Sequence, residues 1–245
     1  MYPKVIVTVD KDFDKEIILY FIDEKIGDFD FGYDRIIREH PLLGVCQNKS
    51  ENERMDIIYP YVETYYQNHE TDIVHAQKNM QAIWDDISVD YFKQLEILFG
   101  ELGFYKEKSL IAFLSIAKCG VIGDDYNNFQ IWYQAVQEPT EVRRHFAHEI
   151  LHFYYYTYIK EKKYLKLIDS WDLAEIFNVV ILGLPEWVAL LGKADAGYKQ
   201  HEQFFPYYRN LWQESGSLDE YLSKTNSDGL IKIANKRKPF CCNGK

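Results

Sequence analysis

An α+β fold is predicted for this chain, with a mostly helical C-terminal part. Short runs rich in β-branched and aromatic residues, KVIVTVD at 4–10, SLIAFLSIAKCG at 109–120 and NNFQIWYQAV at 127–136, have the length of strands. Between and after them lie long stretches almost free of Gly and Pro, with apolar residues at helical spacing. The composition, 47% apolar and 16% aromatic over 245 residues, is that of a globular chain able to bury a core.

The first strand ends in the turn Asp10-Lys11-Asp12, after which FDKEIILYFIDEK has the apolar spacing of a helix. Residues 27–50 are broken by Gly and Pro and read as loop mixed with a short helix. KSENER at 49–54 is expected to be an exposed loop or boundary. A soft limit near residue 70 divides an N-terminal α/β subdomain, 1–70, from a larger domain, 71–245. From Thr71 a long helix is predicted, with a possible break near Ser88 and with Trp84, Tyr91, Phe92, Leu95 and Leu98 toward the core. His75 reads as a surface or core residue of that helix.

Gly123-Asp124-Asp125 supplies a turn between the two later strands. Glu138-Pro139-Thr140 opens the next helix: Pro keeps the residue before it extended, and Thr140 is placed to cap. That helix should end near KEKK at 160–163. WDLAEIFNVVILGL and PEWVALLG form two more, with Pro185 in a first turn where its missing N–H costs nothing. The chain from Tyr198 to about Asn235 reads as helical, and KRKPFCCNGK as a basic tail.

A net charge of −10 argues against a nucleic-acid surface. The four Cys, at 46, 119, 241 and 242, are scattered and suggest a reducing compartment. The N-terminus meets charges too early for a signal peptide, and no apolar run reaches membrane-spanning length. A cytoplasmic protein without membrane or nucleic-acid partners is expected.

The chemistry concentrates in HEILH, His148 to His152. On a helix these two imidazoles share a face, and Glu149 projects about 100° from the first. This is the His-Glu-x-x-His arrangement of zinc hydrolases, two nitrogen ligands plus a carboxylate that takes a proton from water. Ile150, Leu151 and Phe153 suit a helix buried at the floor of a cleft. A catalytic zinc normally takes a third protein ligand. The metzincin third His is absent, Tyr158 standing in its place and Tyr155 in that of the accompanying Gly. Glu186 is favoured, as the only charged residue from Ile176 through Gly192, although an acid at a helix N-terminus is favourable without any metal. Glu175 is the rival; with Asp172 and Asn178 it makes a polar stripe at helical spacing, the usual mark of a solvated face.

HEILH with the downstream Glu of PEWVA resembles the gluzincin group of zinc metallopeptidases, in which the ligand Glu often lies in a Glu-Gly-x-Ala-like segment. Glu186-Trp187-Val188-Ala189 matches it except that Trp187 replaces the Gly. The resemblance spans roughly residues 109–192. It implies a zincin-like mixed sheet packed on the active-site helix, Zn2+ on His148, His152 and Glu186, Glu149 as general base, and a peptide or protein substrate. It also implies that FQIWYQAV lines the cleft as an edge strand, a pattern that an ordinary sheet strand satisfies equally. Leu190 stands where some members carry an acid that orients a ligand His. Tyr198 and His201 are candidates to stabilise an oxyanion, and His145 to stand behind the ligands; each also has an ordinary structural reading. Two alternatives remain. Cys119 lies upstream of the His pair, as the ligand Cys of peptide deformylases does, although that family's Gly-rich and Glu-Gly-Cys segments are missing. A catalytically silent interaction protein on a zincin scaffold is the other.

Overall fold

The computed structural model describes residues 2–26, 29–100, 109–123, 125–134, 138–168, 170–227 and 241–242. Strand β1 (Lys4–Val9) leads into α1 (Lys11–Phe21), followed by the short pair β2 (Lys25–Ile26) and β3 (Phe29–Asp30). A π-helical turn, Gly32–Ile37, and a 3-10 turn, Pro41–Cys46, precede two long helices, α2 (Glu51–Asn68) and α3 (Glu70–Phe99). Then come β4 (Ser109–Ser115), β5 (Ile122–Gly123), β6 (Asn128–Trp132) and α4 (Pro139–Glu161). The C-terminal part is helical: α5 (Leu165–Ile168), α6 (Trp171–Leu182), α7 (Pro185–Leu191), a 3-10 turn at Lys199–Phe204, α8 (Phe205–Gln213) and α9 (Leu218–Ser227).

The sheet has the order β1-β4-β6-β5, with a two-residue strand β7 (Cys241–Cys242) beside β5. β1 and β6 both run parallel to β4, whereas β5 is antiparallel to β6, so the sheet is mixed. Parallel neighbours require crossovers, and α1, α2 and α3 are spent on the one between β1 and β4. The boundary expected near residue 70 falls between α2 and α3, and the sheet runs across it: residues 4–9 pair with 109–114. A single core unites both segments.

The sheet positions α4 through aromatic packing. Phe146 lies between Trp84 of α3, stacked at 5.2 Å, and Phe129 of β6, edge-on at 5.4 Å. Tyr91 of α3 donates its hydroxyl to the Ala147 carbonyl at 2.7 Å. One side of α4 is therefore committed to the core, with Ile150, Leu151 and Phe153 buried.

Several expectations change in detail. KSENER is not a loop: Ser50 caps α2, accepting from the N3 backbone while Glu53 accepts from the Ser50 N–H, a reciprocal capping box. α3 continues through Ser88, whose hydroxyl bonds back to the Asp85 carbonyl at 3.3 Å. Trp84, Tyr91, Phe92 and Leu95 are buried, Leu98 is half-buried against the core, and His75 is exposed. Thr140 does not cap α4: Pro139 occupies the first turn and Glu138 is the extended cap residue. β6 pairs with β4 along most of its length, and on its other side with β5 in register at Phe129. Asp124, residues 135–137 and the basic tail apart from Cys241 and Cys242 lie outside the described residues. No single described helix is long and apolar enough to cross a membrane; α6 and α7 reach that length only as a pair bent by 83°.

Asp14 of α1 is buried beneath the strand ends. It accepts hydrogen bonds from Tyr66 Oη at 2.6 Å, from the Ile116 N–H at 3.0 Å and from Ser115 Oγ. Burial raises its carboxyl to about 6 despite those bonds. A carboxyl raised above its unfolded value of 3.8 contributes stability below that pH, and the contribution is lost as pH rises through about 6. Relative to Asp14→Asn, wild-type stability to urea should therefore fall between pH 4 and pH 7, by up to about 3 kcal/mol. A pH-independent difference would contradict this.

Candidate metal centre

α4 contains no Pro or Gly after Pro139, and its helical pitch sets His148 and His152 one turn apart on the face that meets α6. α6 packs against that face. It is apolar on nearly every side and its residues from Leu173 to Leu182 are all buried. A helix apolar all round has no solvated face, so its polar stripe must be used inside. Glu175 Oε2 lies 3.1 Å from His148 Nε2, and Oε1 lies 3.2 Å from His152 Nε2. Asn178 donates to the His148 carbonyl at 2.9 Å, and Asp172 meets His201 Nε2 at 2.7 Å. The stripe expected to face solvent is the inner wall of the site.

His148, His152 and Glu175 form the group able to hold a metal ion among the described residues. The structure brings Glu175, and not the favoured Glu186, beside the two imidazoles. Glu186 is exposed in the first turn of α7 and stands outside the group. Its neighbour explains why. Successive helical residues point about 100° apart, and Trp187 takes the inward direction, buried and edge-on to Tyr91 at 5.4 Å. Cys119 is buried and likewise outside the group.

The donor set suits a small divalent ion. The two Nε2 atoms are 3.1 Å apart, and the Nε2–carboxylate separations are 3.1 and 3.2 Å. Tetrahedral donors at about 2.0–2.1 Å from a common ion lie about 3.3 Å from one another. Glu175 Oε2 is buried and makes no hydrogen bond, although it lies near His148 Nε2. On the other side of that ring, His148 Nδ1 donates to Asp195 Oδ2 at 2.5 Å.

Asp195 was not legible from spacing. It sits in the short loop GKADAGYK after α7, yet it is buried, and its other oxygen accepts from Arg144 at 3.0 Å and from the Gly197 N–H at 3.2 Å. Arg144 also meets Glu141, which pairs with Lys193. Gly197, at φ 64°, brings the loop so close to α6 and α8 that a Cβ there would strike Val179 and Phe205. The resulting carboxylate–imidazole pair fixes the ring of His148 in the way that partners behind metal ligands do.

The charges agree with this geometry. Burial opposes ionisation of Glu175, but His148 and His152 outweigh it and hold the carboxyl at about 2. Burial likewise works against Asp195, and His148 and Arg144 keep it below the usual range. Burial opposes protonation of His148, whereas Asp195 and Glu175 favour it and raise the ring well above 6.5. The pocket therefore holds two ionised carboxylates around imidazole, and calls for positive charge from a proton or an ion. Glu149 is raised by burial, opposed by the two imidazoles and reinforced by Glu175 and Asp195. His145 is lowered to about 3 by burial and by the positive charges of His148 and Arg144.

Tyr198 packs on Trp171 at 5.0 Å and His201 at 5.8 Å. Desolvation, then the charges of Glu175 and Glu149, raise its phenol, while Arg35 of the π-helical turn acts in the opposite direction. The phenol is thus within electrostatic reach of the site. His201 is buried against Asp172 and is not one of the metal-holding group.

Elemental analysis of purified protein should find a divalent ion in wild type and in Glu186→Ala, and little or none in Glu175→Ala. Asp195→Asn, which unfastens the His148 ring, should weaken metal affinity by about 10- to 100-fold in a chelator competition. Equal metal retention by Glu175→Ala and wild type would exclude the assigned donor set. The chain matches no protein-family model, no curated protein and no solved structure, so the assignment rests on these residues alone.

Proposed function

We propose that the protein is a zinc-dependent metallopeptidase that hydrolyses peptide bonds with a water activated at the His148–His152–Glu175 centre. The observation that carries this reading is the convergence of a buried carboxylate of α6 with two Nε2 atoms of α4, the helix that also bears Glu149. Glu175 preserves the His-His-Glu donor set of the resemblance while supplying its acid from α6. Imidazole and carboxylate donors in a compact, three-residue set suit Zn2+ and leave a fourth position for water or substrate. A Zn2+ ion held there supplies a Lewis acid that polarises a carbonyl and lowers the pKa of water.

The chain's own groups carry the remaining work. Glu149 accepts the proton of the attacking water and delivers it to the leaving amine. Its raised pKa suits both halves of that transfer, since a carboxyl moved toward neutrality gives a proton back more readily than an ordinary one. Asp195 holds the His148 ring with Nε2 turned into the site, and Arg144 holds Asp195. Tyr198 offers a phenolic hydrogen for the oxyanion that develops on the scissile carbonyl.

Glu149→Gln should lower cleavage of a mixed peptide library by about 10²–10⁴-fold, with bound zinc unchanged by elemental analysis. Zinc-loaded wild type that cleaves no peptide where a control peptidase is active would remove this reading and favour a silent scaffold.

A further inference from the structure

We infer that His145 is a positioning residue for Glu149, holding one carboxylate oxygen in place through a hydrogen bond from its Nε2–H. The catalytic consequence rests on the function proposed above; the hydrogen bond itself does not.

Residues 145 and 149 are one turn apart on α4 and lie side by side. His145 Nε2 is 3.5 Å from Glu149 Oε1. Nε2 is buried and makes no hydrogen bond at this separation. The Glu149 carboxylate is therefore a hydrogen-bond acceptor 3.5 Å from that nitrogen, and a buried ring nitrogen is costly to leave bare. A shift of about 0.5 Å brings the pair to ordinary hydrogen-bond length. The contact does not depend on the charge of the ring, because both the Nε2–H tautomer and the imidazolium donate from Nε2.

The geometry around Glu149 makes such a restraint useful. His148 is fastened by Asp195 and Glu175 is clasped by two imidazoles, whereas Glu149 has three side-chain torsions and, among the described residues, an ion-pair contact with His145 to restrain them. A proton acceptor that must face one point in space loses rate when it wanders. With Oε1 held by His145, Oε2 is left to accept the proton. The role inferred for His145 is exercised through Glu149.

Two measurements test this. In the metal-free protein, the ¹⁵N-edited imidazole spectrum should show His145 carrying hydrogen on Nε2, and Glu149→Ala should shift that resonance. In the zinc-loaded protein, His145→Phe should lower kcat for peptide cleavage about tenfold with KM and bound zinc unchanged, and His145→Gln, whose amide N–H can reach the same oxygen, should recover most of the loss. A bare Nε2 on His145, or a resonance indifferent to Glu149→Ala, overturns the contact. Wild-type kcat in His145→Phe overturns the positioning role. If wild type cleaves no peptide, the peptidase reading fails while the imidazole spectrum still decides the contact.

Discussion

The site depends on one constraint: a carboxylate cannot lie unpaired in an apolar helix interface. Glu175 is buried among the apolar side chains of α6 and is made tolerable there by two imidazoles at 3.1 and 3.2 Å. Removing an ion pair's partner inside a protein is far more costly than removing one at the surface. The α4–α6 interface is consequently locked in register by its polar residues. Asn178, one turn beyond Glu175, ties the same interface to the His148 carbonyl.

The sheet and α3 serve this interface from behind. Tyr91 and the Trp84–Phe146–Phe129 stack press α4 onto the strands and leave its opposite side for α6. Trp187 belongs to the same arrangement. By filling the space beside Tyr91, it turns the start of α7 so that Glu186 faces outward. The large aromatic content therefore helps decide which of two candidate acids reaches the imidazoles.

Much of this was legible in the sequence, and the failures have physical causes. The helices of HEILH, WDLAEIFNVVIL and PEWVALL follow from local spacing and from Pro at the first turn, all properties of short windows. Which acid joins the His pair is a property of packing. Asp172, Glu175 and Asn178 have the spacing of a solvated stripe, and only the apolar character of every other face of α6 indicates that the stripe points inward. That signal was present and outweighed by the isolation of Glu186. Asp195 offered no such signal, because its partner is 47 residues away in the chain. The parallel pairing of residues 4–9 with 109–114 was illegible for the same reason, and with it the union of the N-terminal segment with the rest.

The loop carrying Asp195 has a consequence for how the protein comes into being. The imidazole pair is made by one helix, but the acid that clasps it comes from the next long helix and the acid that orients it from a loop later still. A ribosome must therefore translate past Asp195 before the donor set and its support can exist together. Nascent chains that stop earlier carry the His pair without the carboxylate that holds the His148 ring.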